Sequence, residues 1–373
     1  MQSTEPLLYS IGTAVPQHKI SQEHFYSILS ANNSLDRSEK LMLRSIYKNC
    51  GISFRHSVLQ EFSRNESADH LIFYPSTGKK GAGIEKRMEL FNRYAIQLAK
   101  SAIENAMLKI PDFKKERITH LITFSCTGMT APGIDIQIVE EFGLSNSIER
   151  TCINFMGCYA AINALKMAGH ICKSNPDAVV LLCGVELCTL HYSPGVSSDE
   201  LVANALFSDG AAAAIVANRS AVFQPYCALK LMEFFSSFHS SGKSDMTWNI
   251  GANGFNLKLS SYVPDLIQSE ISTFIDALIR QSKVELKEIS HYAIHPGGVK
   301  ILEACQNALH TSKSQNNDSY AILDQYGNMS SVTVLFVLER LMKKLTNADR
   351  DQLIVSAAFG PGLTMESMLL SVA

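Results

Sequence analysis

The sequence is poor in the features that mark nucleic-acid-binding and membrane-spanning proteins. Its 33 Lys and Arg residues are balanced by 35 Asp and Glu residues, so there is no cationic excess to neutralise a phosphate backbone. The most apolar short runs, residues 178–185 and 211–217, fall far below the roughly 20 apolar residues that a membrane-spanning helix needs. We therefore expect neither a nucleic-acid partner nor insertion into a membrane.

Paired cysteines and a secretion signal are also missing. The nine cysteines are scattered without a CxxC pair, which argues against a zinc ribbon and against a disulfide framework in so long a chain. Residues 1–16 lack the basic segment and the apolar segment of a signal peptide. These features predict a cytoplasmic protein.

Four widespread catalytic signatures are absent as well. The sequence contains no Walker A pattern, no GxGxxG, no HExxH and no GxSxG. Nucleotide hydrolysis, hydride transfer, zinc proteolysis and serine-hydrolase chemistry thus lack their usual motifs.

The first half of the chain alternates strand and helix patterns. Hydrophobic residues make up 46% of the 373 positions, enough for a large core or for two similar fused cores. An apolar, β-branched run at 118–126 precedes a Gly/Pro turn and a helical pattern at 134–142. A second unit places a helix over 159–172 before a strand over 178–187. Because that second helix is apolar almost all round, we expect it to be buried inside the protein.

The C-terminal part repeats this order. A predicted strand over 291–295 leads through a Pro-Gly-Gly turn into a helix over 299–309, and a second largely apolar helix covers 331–345. The repetition predicts a duplicated α/β core with helices between sheets. The division lies near residue 226, and the first hundred residues form a helical cap and an outer layer of the N-terminal half.

Cys158 is the first candidate for chemistry. It lies where a turn containing Gly157 enters the predicted buried helix. The positive end of the helix dipole favours a thiolate at such a position, and a thiolate is a nucleophile. A small buried core thiol is the alternative interpretation.

His295 and Asn328 occupy comparable turn positions. His295 ends a predicted strand, where an imidazole can stabilise a thiolate and donate a hydrogen bond to an oxyanion, although a structural histidine fits as well. Asn328 follows Gly327 and is either a helix cap or turn residue, or a second donor in the same site.

Several motifs together resemble the chalcone-synthase-like, or type III, polyketide synthases, and especially their bacterial members. They are the turn and helix at Cys158 and the strings LFSDGAAA at 206–213, AIHPGG at 293–298, YGNMSS at 326–331 and GPGLT at 360–364. The resemblance runs from about residue 118 to the C-terminus.

This resemblance implies a fold and a reaction. The fold is the thiolase fold, a duplicated α/β core in five layers (αβαβα), in a homodimer. Residues 1–226 carry the nucleophile, and residues 227–373 carry the histidine and the asparagine. Cys158 would hold the acyl chain of an acyl-CoA starter, while His295 and Asn328 promote decarboxylation of malonyl-CoA. Repeated condensation and cyclisation would give an alkylpyrone, a resorcinol or a related aromatic polyketide, without a metal or organic cofactor.

The resemblance also implies residues that shape the substrate cavity. Phe207 and Phe255 resemble the family's two gatekeeper aromatics, although either residue fits ordinary core packing. Cys126 falls where some bacterial members carry Cys, and it either lines the cavity or is a core thiol. The remaining expected substrate contacts lie in the two motif strings, at Gly297, Gly298 and Ser330.

Departures from the plant members bear on the product. Ala131 stands where plant members carry a Met that reaches into the partner's cavity, and His191 lies in a cavity-lining region that is more like the bacterial members. The small side chain of Ala131 favours a fatty acyl starter. Arg44 and Lys48 are four residues apart on a helical stretch near the family's CoA contacts, with a solvated helix face as the alternative.

Two other classes of protein stay open. A ketoacyl synthase III shares the fold and a Cys/His/Asn site, but it performs one condensation with an acyl carrier protein. A non-catalytic thiolase-fold scaffold is the second alternative, and a malonyl-CoA decarboxylation assay separates it from either enzyme.

Overall fold

The structure, a computed structural model, describes residues 5–31, 35–63, 81–192, 195, 197–219, 223 and 227–373. The strands in these ranges are β1 Pro6–Ala14, β2 His18–Ser21, β3 Phe54–Ser57, β4 His120–Ser125, β5 Glu149–Asn154, β6 Val179–Leu187, β7 Asp209–Asn218, β8 Leu229–Phe238, β9 Met246–Gly251, β10 Gly254–Leu259, β11 Ile289–Ile294, β12 Leu353–Gly360 and β13 Thr364–Val372. The α-helices are α1 Gln22–Ser30, α2 Arg37–Asn49, α3 Ile84–Met107, α4 Ile134–Phe142, α5 Ala160–Ser174, α6 Ser198–Leu206, α7 Val263–Ser282, α8 Val299–Ala308, α9 Asn317–Tyr326 and α10 Thr333–Met342.

The main sheet contains an internal repeat. Its strand order is β11-β12-β13-β8-β1-β7-β6-β4-β5. In the N-terminal half, β1 is antiparallel to β7, β7 is antiparallel to β6, and β6 is parallel to β4. In the C-terminal half, β8, β13, β12 and β11 repeat this series of antiparallel, antiparallel and parallel pairings. The duplication predicted from the sequence is therefore present in the topology, and the half-sheets meet through two residue pairs of β1 and β8.

A central helical layer separates the two half-sheets. It consists of α5 and α10, whose buried side chains share one core with inward-facing residues of strands from both halves. Small residues such as Ala161, Ala164 and Ala168 line α5, so the neighbouring strands can approach it closely. Burial of a side chain such as Leu335 in this layer contributes roughly 1.5–3 kcal/mol relative to exposure. Cores of this kind make a buried helix energetically favourable even where its sequence has no polar face.

Two outer helical layers complete the five. The long helix α3 packs on the outer face of β1 and β7, where a Cβ at Gly12 would collide with the Ala102 carbonyl oxygen. Helices α7 and α8 cover the outer face of β11, β12 and β13. The order is helix, sheet, helices, sheet, helices, so the predicted five-layer thiolase fold is confirmed.

Two predictions about the N-terminal half concern its first hundred residues and its C-terminal boundary. The first hundred residues include β1, which lies in the middle of the sheet, so they are more than a helical cap and outer layer. Residue 226, at the predicted boundary between halves, lies outside the described residues, and the boundary stays a prediction.

Candidate active site

One cavity of about 680 Å³ is lined by residues of both halves. All nine predicted site residues line it, namely Cys126, Cys158, Phe207, Phe255, His295, Gly297, Gly298, Asn328 and Ser330. Residues more than 150 positions apart in the sequence thus share one site, as a common reaction would require. Cavities of this size are typical of small-molecule sites.

Cys158 is held at the start of α5 by a strained turn. The turn follows β5, and its residues Phe155 and Gly157 have positive φ angles of 61° and 98°. A Cβ at Gly157 would also collide with the Pro361 ring, so glycine is required there for both backbone and space. The turn leaves Cys158 half-buried, with its Sγ 3.7 Å from the Ser330 hydroxyl.

The surroundings of the Cys158 thiol favour its protonated form. Burial raises the pKa of Cys158 to about 12, the Glu186 carboxylate raises it further, and hydrogen bonds from Ser330 and Asn328 oppose the rise. Desolvation thus opposes the thiolate that the helix dipole is expected to favour, and a thiolate at Cys158 stays a prediction. Nucleophilic attack therefore requires a base that takes the thiol proton.

His295 is the candidate for such a base, because it lines the same cavity. It follows β11, its backbone N–H donates to the Ala357 carbonyl at 2.8 Å, and its side chain is 1% exposed. Among the described residues, neither ring nitrogen has a hydrogen-bond partner. Burial lowers the pKa of His295 to about 3, so the ring is neutral, with one N–H to donate and one lone pair to accept a proton.

Asn328 presents its amide donor to the same space. Its backbone pairs with residues 206 and 208, through Asn328 N to Leu206 O and Ser208 N to Asn328 O, both at 2.9 Å. The Ser330 N–H donates to Oδ1 at 2.8 Å, and Nδ2 lies 3.4 Å from the Gly297 carbonyl. The amide orientation is therefore fixed, with the N–H groups toward Gly297 and Cys158.

Glu186 is a buried carboxylate that lies outside the sequence motifs. It is the penultimate residue of β6, has no exposed surface, and accepts hydrogen bonds from Cys126 N at 3.0 Å, from the Thr127 hydroxyl at 2.7 Å and from the Ser331 hydroxyl. Burial raises the pKa of Glu186. The sequence does contain a signal for this residue, a single Glu near the end of the otherwise apolar run VVLLCGVEL. A carboxylate in a buried strand indicates a polar site, because a buried carboxylate needs hydrogen-bond partners.

Replacing Glu186 by Gln should make the nucleophile more reactive. The Glu186 charge raises the pKa of Cys158, so its removal should lower the pKa of Cys158. At a fixed pH below that pKa, the rate of alkylation rises about tenfold for each unit by which the pKa of Cys158 falls. The measurement is the pH profile of iodoacetamide labelling, located at Cys158 by peptide mass spectrometry. Asp209→Asn is the matched control, because Asp209 is equally buried but contacts Thr189 and Val58. Identical profiles for wild type and Glu186→Gln would contradict the assignment.

An aromatic cluster forms the wall around Phe255. The Phe255 ring stacks on His191 with centroids 4.1 Å apart, and Trp248 meets both rings edge-on. His191 Nε2 lies 2.8 Å from the Thr127 carbonyl, and its Nδ1 accepts the Phe255 N–H at 3.2 Å. Burial lowers the pKa of His191 to about 3, so the cluster is uncharged. The gatekeeper role of the two phenylalanines stays a prediction.

Cys126 and Arg55 fix two of the loops that carry site residues. The Cys126 thiol accepts the Gly157 N–H at 3.0 Å, directly before Cys158. Arg55 is fully buried and donates to the carbonyls of Asn204 at 2.6 Å and Phe207 at 2.9 Å. No motif pointed to Arg55, because its role depends on contacts that are distant in sequence.

Other predicted positions lie off the cavity. Arg44 and Lys48 are exposed and do not line it, which supports the solvated-face alternative. Ala131 is exposed in the single chain and does not line the cavity either. Within the described ranges, no helix is both long and apolar enough to cross a bilayer.

Family models match nearly the whole chain. The model described as chalcone and stilbene synthases, N-terminal domain, matches residues 2–219, and the corresponding C-terminal domain matches residues 232–373. The chain is 29% identical over 372 residues to the alpha-pyrone synthesis polyketide synthase-like Pks18 of Mycobacterium tuberculosis, covering 99% of this chain and 92% of that protein. It is 29% identical over 375 residues to type III polyketide synthase A of Arabidopsis thaliana, covering 97% and 92%.

Solved structures show the same similarity in three dimensions. The crystal structure of PKS-I from the brown alga Ectocarpus siliculosus has a TM-score of 0.89 and 30% identity, covering 99% of this chain and 98% of that one. The C-terminal type III polyketide synthase domain of Steely1 from Dictyostelium has a TM-score of 0.90 and 27% identity, covering 98% and 99%.

Proposed function

The chain belongs to the chalcone and stilbene synthase family and is an acyltransferase of the type III polyketide synthase class, and on this premise we propose how its residues divide the reaction. The resemblance seen in the sequence motifs is thereby confirmed. The class performs decarboxylative condensation of an acyl-CoA starter with malonyl-CoA, repeats it and cyclises the chain.

In the first step, Cys158 accepts the starter. His295 takes the thiol proton, the thiolate attacks the acyl-CoA carbonyl, and the proton passes to the departing CoA thiolate. A thioester on Cys158 and free CoA result. The half-buried thiol and the neutral, unpartnered imidazole support this assignment.

In the second step, malonyl-CoA loses carbon dioxide. The electrons of the broken C–C bond form an enolate, whose oxygen accepts hydrogen bonds from the His295 ring N–H and the Asn328 amide N–H. The enolate carbon attacks the Cys158 thioester, and the thiolate leaves. These steps need no metal or organic cofactor, because side-chain donors stabilise the enolate and CoA thioesters supply both carbon units.

The observation that carries the proposal is the unsatisfied His295 side chain. A buried polar group without a partner is unfavourable by about 1–3 kcal/mol, so it persists where function requires it. Its place beside Cys158 and Asn328 in one cavity fits a residue whose partner is the substrate. A scaffold protein would have no reason to retain this group.

We propose a fatty acyl starter and an alkylpyrone or alkylresorcinol product. Support comes from apolar residues of the cavity wall such as Val202, Leu206 and Ile267. Pks18, a relative, is named for alpha-pyrone synthesis.

We also propose a homodimer formed along β5. This strand lies at the edge of the main sheet, and four of its residues are exposed: Glu149, Arg150, Cys152 and Asn154. Exposed edge strands readily pair with another strand. Pairing there would place the partner subunit beside the Cys158 turn, which directly follows β5.

The function is tested by product mass spectrometry with malonyl-CoA and short, long and aromatic acyl-CoA starters. We expect polyketides with two or more extensions from medium or long starters, from a preparation that light scattering shows to be twice the 41.1 kDa chain mass. A single extension that requires an acyl carrier protein would indicate a ketoacyl synthase III. Failure with every medium and long starter would refute the fatty acyl proposal.

A further inference from the structure

The cavity includes two lysines at its exposed rim, and we propose that Lys300 and Lys258 bind the phosphate groups of the CoA substrate. This inference rests on the proposed function, because it concerns how the anionic end of the thioester is held. Among the described residues that line the cavity, these two are the only Lys or Arg side chains. Both are exposed, and neither forms an ion pair or hydrogen bond within the described part of the chain.

Lys300 occupies a position that is unfavourable for a cation in an isolated helix. It is the second residue of α8, at the positive end of the helix dipole. The first turn of α8 has no acidic residue, and Gly298 provides no side-chain cap. An anion bound there would neutralise the lysine and would also accept hydrogen bonds from the uncapped backbone N–H groups.

The same segment connects the rim to the reaction centre. His295 lies five residues before Lys300, is 1% exposed and has no partner for either ring nitrogen in the described chain. Gly297 and Gly298 lie between them and line the cavity. A ligand that satisfies His295 at its thioester end can therefore follow this segment outward and place its phosphates at Lys300.

The helix α2 supplies no cation to the cavity lining. The residues of α2 that line the cavity are Met42, Ser45, Ile46 and Asn49, all uncharged. The α2 cations Arg44 and Lys48 lie on the face away from the cavity lining. Cations for the CoA phosphates are therefore available from Lys300 of α8 and Lys258 of β10, and not from α2.

Acidic residues at the cavity do not neutralise the two lysines. Asp199 and Glu200 also line it, in the first turn of α6. Glu200 accepts from the Ser197 hydroxyl at 2.6 Å and from the Ser197 N–H at 3.3 Å, which caps α6. Neither acid pairs with Lys258 or Lys300 in the described structure, so both ammonium groups remain available to an anion.

The test compares thioesters with and without phosphates. Lys258→Glu/Lys300→Glu is assayed with malonyl-CoA and with malonyl-N-acetylcysteamine, which lacks the phosphates and adenosine. We expect KM for malonyl-CoA to rise at least about tenfold with little change in kcat, while KM for the truncated thioester stays within twofold. The wild-type KM for malonyl-CoA should also rise with salt.

Arg44→Glu/Lys48→Glu is the charge-matched control and should leave KM for malonyl-CoA unchanged. Unfolding temperatures near that of wild type verify that all variants fold. The proposal is overturned if the lysine variant keeps its malonyl-CoA KM, if both thioesters are affected equally, or if the α2 variant shows the effect. It is also overturned if the lysine variant is impaired only with malonyl-acyl carrier protein. Wild type that condenses neither thioester would instead refute the proposed function.

Discussion

Replacing Cys158 by Ala abolishes chain extension and leaves decarboxylation of malonyl-CoA measurable. The reason is the division of labour in the cavity, where Cys158 holds the growing chain and His295 and Asn328 act on malonyl-CoA. Loss of a catalytic nucleophile typically lowers turnover by about 10⁴-fold or more. The substitution removes only the Sγ atom of a half-buried side chain, so folding should be preserved.

Three measurements check this result. Mass spectrometry of products reports extension, acetyl-CoA formation reports decarboxylation, and the intact mass after incubation with acyl-CoA reports the thioester. The matched control is Cys188→Ala, because Cys188 also lines the cavity. It should keep the acyl adduct and the products. Extension by Cys158→Ala, or equal inactivity of Cys188→Ala, would show that another group is the nucleophile.

Replacing His295 by Leu should destroy activity without destabilising the protein. The ring N–H is one of two proposed donors to the enolate oxygen, and loss of such a donor lowers the rate by about 10²–10³-fold. In the folded chain, however, the ring nitrogens have no hydrogen-bond partner among the described residues. An apolar side chain of similar size therefore removes an unfavourable burial, and the free energy of unfolding should be unchanged or higher.

His191→Leu provides the opposite case. His191 is also a buried neutral imidazole, but both of its nitrogens are hydrogen-bonded, to Thr127 O and Phe255 N. Its replacement leaves those two groups unsatisfied and should lower the free energy of unfolding by about 1–3 kcal/mol. Denaturant unfolding and acetyl-CoA formation measure the two quantities. A large loss of stability in His295→Leu would instead identify a structural histidine.

Local patterns predicted the elements that carry the site. The helices predicted over 134–142 and 299–309 are α4 Ile134–Phe142 and α8 Val299–Ala308, and the predicted strand over 178–187 is β6 Val179–Leu187. The two helices have turn residues at their boundaries, and β6 is a short, continuous apolar run. The motif residues were also expected to share a site, and they line one cavity.

Features that depend on distant contacts were not predictable in this way. The central position of β1 follows from pairing with β7, some 200 residues later, and not from its own composition. The pKa of Cys158 depends on desolvation and on Glu186, neither of which appears in the local motif. The stacking of His191 on Phe255 likewise joins residues that carry no joint pattern in the sequence.

The internal repeat places the two chemical tasks at equivalent positions. Cys158 directly precedes the buried helix α5 of the first repeat, while Asn328 lies just before α10, the buried helix of the second. The first half thus carries the covalent attachment, and the second carries the groups that activate the extender. A chimera that exchanges whole halves with a relative would take its acyl-carrying cysteine from one parent and its malonyl activation from the other. The Glu186–Ser331 hydrogen bond spans the exchange boundary, so only parents that match at both of these positions would give a working hybrid.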